Sequence, residues 1–577
     1  MAVHNSEIAA IFEQLAELLE IQEENPFRIR AYRNAAQVIR AQSRSMVDLV
    51  AAGADLDELP GIGKDLAAKI ATIVRTGKLP LLEQVRARVP APLVELTRIE
   101  GLGPKRAKTL YRALKIRSLE DVQRAARSHR IREIKGFGPR TEQLIGERAA
   151  HVAAAERRLK LVDAEEIVGP LIEYLCGAKG VKAIEVAGSY RRRRDTVGDL
   201  DVLASAARGA SIMDRFVHFE DVVEVIAQGP TRATVRLRNG VHVDLRVVPP
   251  ESFGAALHYF TGSREHNVAV RRRAMARGLK LNEYGIFRGE RRVGGRTEQE
   301  VFDAVGLPFI PPELREDRGE IEAARRKRLP ALIELDDIRG DLHCHTRASD
   351  GRDTIEAMAK AAAERGYEYI SVNDHSRRVN VAHGLDRRRL MQQIRSIDRL
   401  NEKSKGAVIL KSSEVDILDD GSLDLPDSVL KELDFTVCAI HYGLNRSRER
   451  QTGRILRAMD NPYFTILAHP TGRLINAREP YEIDLERVLD AARERGRILE
   501  LNAHPDRLDL DDRACRMAKE AGVRVAISTD AHSKGDLGLM RFGIGQARRG
   551  WLEPHDVVNT RGLEELRRLL RPQRQHD

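Results

Sequence analysis

Residues 184–202 read Ile-Glu-Val-Ala-Gly-Ser-Tyr-Arg-Arg-Arg-Arg-Asp-Thr-Val-Gly-Asp-Leu-Asp-Val, and the fold is decided here. A β-branched run over Ala183–Ala187 predicts a strand that ends on Gly188, and Asp199–Ala204 predicts a second. Further runs over Thr234–Leu237 and Val241–Val248, after a helical stretch ending near Gly177, make this region an α/β unit. Asp199 and Asp201 are separated by one residue, which on a strand sets both carboxylates on one face. Val243-Asp244-Leu245 brings a third acid from a neighbouring strand. Three hard oxygen donors suit two Mg²⁺ or Mn²⁺ ions clamping the oxygens of a phosphoryl transfer. An acid pair alone reads as well as the exposed face of an edge strand, so its neighbours matter. Gly188, Ser189, Arg191 and Arg192 offer amides, a hydroxyl and guanidinium groups suited to a triphosphate. His258-Tyr259-Phe260-Thr261-Gly262-Ser263, then His266, Asn267 and Arg271, follow on the C-terminal side.

Toward the N-terminus the pattern is helical up to about residue 160, beginning with Ile8, Ile11, Phe12, Leu15, Leu18 and Leu19. One short motif occurs three times there: Leu59-Pro-Gly61-Ile-Gly63, Ile99-Glu-Gly101-Leu-Gly103-Pro104 and Ile134-Lys-Gly136-Phe-Gly138-Pro139. A glycine–apolar–glycine turn between helices can bring bare amides up to a phosphate, aided by the following helix N-terminus. Such contacts position DNA without reading its sequence. In the third copy Thr141 stands where the second has Arg106, and the acidic Glu142 follows it.

Toward the C-terminus, Glu313–Leu335 is highly charged and reads as a connecting helix and boundary. From Asp337 onward strands alternate with helices: Tyr369–Val372, Val408–Leu410, Phe435–Ile440, Phe464–Leu467, Ile498–Leu501 and Val523–Ile527. That alternation predicts a barrel or parallel sheet. His343, His345, Asp350, His375, Glu414, His441, His469, Asp530 and His532 are each expected at or just beyond a strand's C-terminal end, where barrels assemble their sites. One such histidine would be unremarkable filler; the full set points to Mn²⁺, Zn²⁺ or Fe²⁺ in a multinuclear cluster that generates hydroxide. His504 reads as structural, and His383 as a loop residue.

Composition bounds these readings. A chain of 577 residues is too long for one core and predicts three or four units. With 42% hydrophobic and 32% charged residues and no apolar run of membrane-spanning length, it reads as soluble. The N-terminus lacks a secretory pattern, which places the protein in a bacterial cytoplasm once the resemblance below is considered. Cys176, Cys344, Cys438 and Cys515 are unpaired in spacing and read as small core residues. A net charge of +10 favours a polyanionic partner without proving one.

The glycine–serine–tyrosine–arginine–arginine turn, the aspartate pair, the later Asp244 and the Tyr-Phe-Thr-Gly-Ser turn resemble the palm and nucleotide-binding regions of family X DNA polymerases over residues 1–320. The histidine pair 343/345, Asn373-Asp374-His375 and the closing Asp530-Ala-His532 resemble a PHP (polymerase and histidinol phosphatase) domain over 337–577. The resemblance implies a multidomain protein: an all-α helix-hairpin-helix N-terminal region, an α/β nucleotidyltransferase-type palm and a C-terminal distorted (β/α)7 PHP barrel. It divides the chain at 1–88 and 89–160 (two helical DNA-binding domains), 161–250 (palm), 251–320 (nucleotide-binding subdomain), 321–336 (linker) and 337–577 (PHP). It implies that Asp199, Asp201 and Asp244 hold two Mg²⁺ or Mn²⁺ ions, with Asp244 accepting the primer hydroxyl proton. Gly188, Ser189 and Arg192 would grip a deoxynucleoside triphosphate, Tyr259, Phe260 and Gly262 would line the sugar pocket, and Asn267 would touch the base. The nine-residue set would hold up to three Mn²⁺, Zn²⁺ or Fe²⁺ ions. Gly61, Gly63, Gly101, Gly103, Gly136 and Gly138 would contact DNA, and Lys69 falls at a lyase position, although Asp65 and Asn34 replace lysines found in relatives. His242 stands where some relatives carry an arginine that orients the third aspartate.

The expected activity is gap-filling DNA synthesis on gapped or primer-template DNA with a 3′–5′ exonuclease, in a monomer without membrane contact. Two other readings stay open: a polymerase whose barrel is structural, and a DNA-end-binding scaffold.

Overall fold

The computed structural model describes the chain except residues 1–4, 23, 42–45, 52, 60, 77, 87–92, 94, 95, 97, 98, 100, 101, 103, 117, 118, 156, 157, 207–209, 380, 381, 404, 405 and 571–577. It divides into two compact units, Met1–Arg158 and Leu159–Asp577.

The first unit is helical. The helix Asn5–Ile21 buries Ile8, Phe12, Leu15 and Leu19, which recur at helical spacing on its inner face. That face belongs to one core whose members run from Ile8 to Ala149. The same backbone turn recurs at each motif: Ile62, Leu102 and Phe137 donate their amides to Leu59, Ile99 and Ile134. The residue between the glycines is in each case a buried plug. A helix follows each turn: Lys64–Thr76, Pro104–Leu114 and Pro139–Ala155. Gly61 and Gly136 take positive φ, which side chains there would resist; Gly101 and Gly103 lie outside the described residues.

The second unit opens with β1 (Leu159–Lys160) and a helix, Leu161–Cys176. Then come β2 (Val181–Val186), β3 (Thr196–Val197), β4 (Leu200–Ala206), β5 (Val222–Gln228), β6 (Arg232–Leu237) and β7 (His242–Val248). Five of these form a sheet in the order β2-β4-β7-β6-β5, in which only β4 and β7 are parallel. β5 is not apparent from the sequence, because its exposed Val223, Val225 and Ile226 break the usual alternation. Three short antiparallel strands follow, β8 (Lys280–Asn282), β9 (Gly285–Arg288) and β10 (Arg291–Gly294), beside the helices Phe253–Thr261, Arg264–Met275 and Glu298–Ala304.

The C-terminal region holds β11 (Gly340–Asp341), β12 (Tyr369–Val372), β13 (Val408–Lys411), β14 (Glu414–Asp416), β15 (Val437–Ala439), β16 (Ile466–Leu467), β17 (Ile498–Asn502) and β18 (Val525–Ser528). Every pairing among them is parallel, in two sheets ordered β11-β12-β13 and β14-β15-β16-β17-β18. Parallel bridges His375–Glu414 and Cys344–Ala531 join the two sheets at both margins.

Two expectations change. Residues 321–336 are not a free linker: Ala324 packs in the core beneath β8–β10, and Ile333 is fully buried in the core of the C-terminal strands. The charges that made the stretch look like a boundary are spent on ion pairs, such as Arg325 and Arg326 with Glu322. The sheet carrying Asp201 also shares its apolar core with Ile475, Leu508 and Phe542 of the C-terminal region, so the two regions are not separately packed.

Candidate functional site

The parallel pairing of β4 with β7 places Asp201 directly across from Asp244. Asp199 sits one residue before β4 and is exposed, not on the strand as expected. Burial pushes the Asp201 carboxyl up to about 7, and the charges of Asp199 and Asp244 push the same way. Like charges held together in this way are what a divalent cation relieves. Gly188 approaches so closely that a Cβ there would lie 2.6 Å from Asp201 Oδ2, which explains glycine at that position. Asp244 is oriented by groups the sequence reading overlooked. Thr234 donates to it from the neighbouring β6, and Arg232 Nη2 lies 3.2 Å from its Oδ1. Arg232 therefore reaches Asp244 from the adjacent strand, while His242 occupies the position two residues before it.

The short helix Gly188–Arg191 ends on the first arginine of the basic run, and Arg192 caps it. Arg191 forms a two-pronged ion pair with Glu298 at 2.7 and 3.0 Å, and Arg315, fully buried, takes the same carboxylate at 2.6 Å. Burial would raise Glu298, but Arg315 and Arg191 beside it hold it down at about 2. Arg192 donates to Glu316 at 3.1 Å and to the Thr261 carbonyl at 2.5 Å, and its Nη1 lies beside Gly262. Tyr259 and Phe260 meet edge to face at 5.0 Å, with Arg246 over the Phe260 ring. Asn267 is buried and donates to the Tyr259 carbonyl at 2.6 Å, so it fixes the turn from behind.

In the C-terminal region the strand ends bring all nine residues of the predicted set together. Eight fall into three overlapping groups whose donor atoms lie within 4.8 Å: His343, His345 and Asp530; His345, Asp350, His375 and His532; His375, Glu414 and His441. The ninth, His469, reaches Glu414 Oε1 at 3.0 Å. The Asp199, Asp201 and Asp244 set does not gather as tightly among the described residues. Glu414 opens β14 and does not close β13, because the chain steps from one sheet to the other across Ser412 and Ser413. The Nε2 atoms of His343 and His345 are 3.1 Å apart, and His345 Nδ1 is buried with no hydrogen-bond partner among the described residues. Paired nitrogens and an orphaned one aimed among carboxylates fit bound cations. Burial opposes ionisation of Glu414 and Asp530, but the surrounding histidines, His375 foremost for Glu414 and His343 for Asp530, hold both well below the usual carboxylate range.

A second set of acids orients these histidines, as metal-binding imidazoles usually require. Glu500 accepts from His343 Nδ1 at 2.7 Å and from the His469 amide at 2.6 Å; Asp416 lies 3.1 Å from His441 Nδ1. Asp341 takes Thr529, and Asp374 takes Thr346, Ser349 and Gln393. None of this set is recognisable as a support for the histidines from the sequence alone. A fourth acidic group, Glu553, His555 and Asp556, is occupied by Lys519 at 2.6 and 2.9 Å. His504 stays outside the cluster, its Nδ1 accepting from the Asp506 amide, and His383 sits at a positive-φ turn.

In the first unit Lys69 is ion-paired with Asp65 one turn away and lies 6.0 Å from the Tyr32 ring. Glu142, the departure in the third hairpin, is buried and tied to Arg132 and His129, so it staples the turn.

Compared with known proteins, the chain is 36% identical over 574 residues to the DNA polymerase/3′-5′ exonuclease PolX of Bacillus subtilis, covering 99% of this chain and all of that one. The chain belongs to the PolX family. PolX membership agrees with three family models: a DNA polymerase beta thumb at residues 256–316, a helix-hairpin-helix domain at 3–79 and a SAM-like helix-hairpin-helix tandem at 93–150. A probable phosphatase of Thermoanaerobacter sp. (strain X514) is 32% identical over 232 residues, 38% of this PolX chain and 89% of the relative. Another, from Caldanaerobacter subterraneus, is 30% identical over 245 residues, 41% and 91% respectively.

Proposed function

We propose that this chain is a DNA-directed DNA polymerase that fills short gaps during repair and also carries a 3′–5′ exonuclease. The reading rests above all on the end-to-end likeness to a protein bearing both activities in its name, joined to two sites with different donor sets in one body. In this reading residues 161–250 are the palm, 251–320 bind the nucleotide, 337–577 form a PHP barrel, and 1–88 and 89–160 grip gapped or primer-template DNA through their hairpins. No helix among the described residues is long and apolar enough to cross a membrane. The protein acts as a monomer in the cytoplasm.

At the palm, Asp199, Asp201 and Asp244 hold two Mg²⁺ or Mn²⁺ ions, which supply charge stabilisation when bound. Asp244, held by Thr234 and Arg232, receives the primer hydroxyl proton. Gly188, Ser189 and Arg192 take the triphosphate, while Tyr259, Phe260 and Gly262 crowd the sugar and Asn267 fixes their turn. In the barrel the nine His, Asp and Glu residues would hold up to three Mn²⁺, Zn²⁺ or Fe²⁺ ions, whose chemistry would be the activation of water for hydrolysis. Glu500 and Asp416 keep His343 and His441 in one tautomer and direction.

Gapped-DNA assays test this: Asp201→Ala abolishes nucleotide addition and spares primer shortening, and His343→Ala does the reverse. Loss of both activities in either variant would defeat the two-site reading. The likeness to probable phosphatases favours a second reading, removal of terminal phosphates by the barrel, which a 3′-phosphorylated primer distinguishes.

A further inference from the structure

The turn that carries Arg192 is fastened to the C-terminal region at four places. Arg549, the last residue of the helix Met540–Arg549, donates from Nη1 to the Arg192 carbonyl at 2.8 Å and to Glu316 Oε1 at 2.9 Å. Its Nη2 donates to Asp512 at 2.6 Å, and Arg318 meets the same carboxylate at 2.9 Å. Arg193 and Arg541 share Glu165, and Arg473 holds Asp195 at 3.2 Å. Gly545 on the same helix leaves room for the Arg193 stem, since a Cβ there would come within 3.3 Å of it. Phe542 anchors the helix in the palm core.

Glu316 is therefore contested. Arg192 and Arg549 both bond its Oε1, and Arg194 lies 3.7 Å from Oε2. Burial would raise this carboxyl, but Arg549 first, then Arg192 and Arg194, hold it at about 2. With side-chain exposure of 3%, Arg549 is the most deeply buried of the three guanidinium groups. A cation that satisfies Glu316 from the barrel side leaves Arg192 less firmly bound to it and freer to turn to an incoming phosphate. The bond to the Arg192 carbonyl holds the turn in place meanwhile.

We propose that Arg549, a residue of the hydrolytic region, is a positioning residue for the synthetic site: it shares Glu316 and pins the Arg192 backbone, so that Arg192 is available to the triphosphate. This rests on reading Arg192 as a triphosphate ligand. Without Arg549, Glu316 retains Arg192, and the loss falls on nucleotide binding more than on turnover.

The test is single-nucleotide gap filling by the full-length enzyme, with exonuclease measured on the same preparations. Arg549→Ala raises the KM for the nucleotide about tenfold, the scale of one charge-assisted hydrogen bond, with a smaller change in kcat and exonuclease unchanged. In the Arg192→Ala background the same substitution adds nothing. If Arg192→Ala raises the KM and Arg549→Ala does not, or if Arg549→Ala lowers synthesis and exonuclease in proportion, the proposal is overturned. If Arg192→Ala itself leaves the KM unchanged, the triphosphate reading has failed first and the proposal goes with it. Should Arg549→Ala not fold, Arg549→Gln removes the charge that competes for Glu316 while keeping a side chain of similar length; a KM rise supports the proposal and no rise overturns it.

Discussion

In the proposed reading the palm and the barrel would hold cations against phosphate with opposite economies of structure. The palm sets two carboxylates on adjacent strands and a third, exposed, just before one of them, and leaves their mutual repulsion largely standing, as the raised Asp201 shows. The barrel gathers nine mixed donors from many strand ends, buries most of them and surrounds them with further acids. A site whose charges repel is loose until its ions and substrate arrive together. One whose histidines are already locked by Glu500 and Asp416 is organised beforehand.

Metal substitution tests that contrast most harshly. Chelation should lower both activities on the order of 10³-fold, the equivalent of several kcal/mol of lost charge stabilisation. Added Mg²⁺ should then restore synthesis but little exonuclease, whereas Mn²⁺ restores both; equal rescue by Mg²⁺ would erase the distinction. Next in size is Glu298, which ties Arg191 and Arg315 beneath the palm. Glu298→Gln should cost about 3 kcal/mol of stability at neutral pH, because two buried cations lose their partner. Its folded carboxyl lies at about 2 against 4.5 unfolded. Its stabilisation is therefore present above pH 4.5 and lost as pH falls through 2, so acid unfolding curves of the two proteins should converge there.

Glu500→Gln should lower exonuclease roughly 10- to 100-fold, as loss of a partner behind a ligand does, with synthesis unchanged. Arg232→Ala breaks a half-exposed pair with Asp244 and should cost synthesis no more than about 1 kcal/mol. A larger loss would mean that the palm is as pre-organised as the barrel. The smallest effect is expected at Lys69: a Schiff-base nucleophile must be neutral, and this lysine is paired with Asp65. Borohydride should trap no covalent product on a 5′-deoxyribose phosphate end, and a trapped adduct would reverse that expectation.

The candidate ligands were legible because most of them combine a donor side chain with a strand end, two signals that coincide rarely by chance. Strands β12, β13 and β17 were readable to within a residue for the same reason of β-branched runs bounded by turns. The supporting acids were not. Glu500 sits inside Ile498–Asn502, an apolar run in which one acid looks like an exposed edge position. Asp416 stands two residues after Glu414, the same-face spacing that exposed Asp199 and Asp201, but the strand β14 that gives the spacing meaning is only three residues long. Arg232 was illegible because its partner lies on another strand, and register is invisible in a single sequence. The stretch 321–336 misled because charged residues that pair with one another look like solvated linker.

The apolar core that joins Phe542, Ile475 and Leu508 to the palm strands has a consequence for how the molecule lives and fails. Two catalytic regions that share side chains in one core cannot melt independently, so calorimetry should record them as a single transition. Whatever ion is captured by the barrel adds its binding free energy to the whole body by mass action. The supply of that ion would then set the working lifetime of an active site it never touches, and starving the nuclease of metal would age the polymerase.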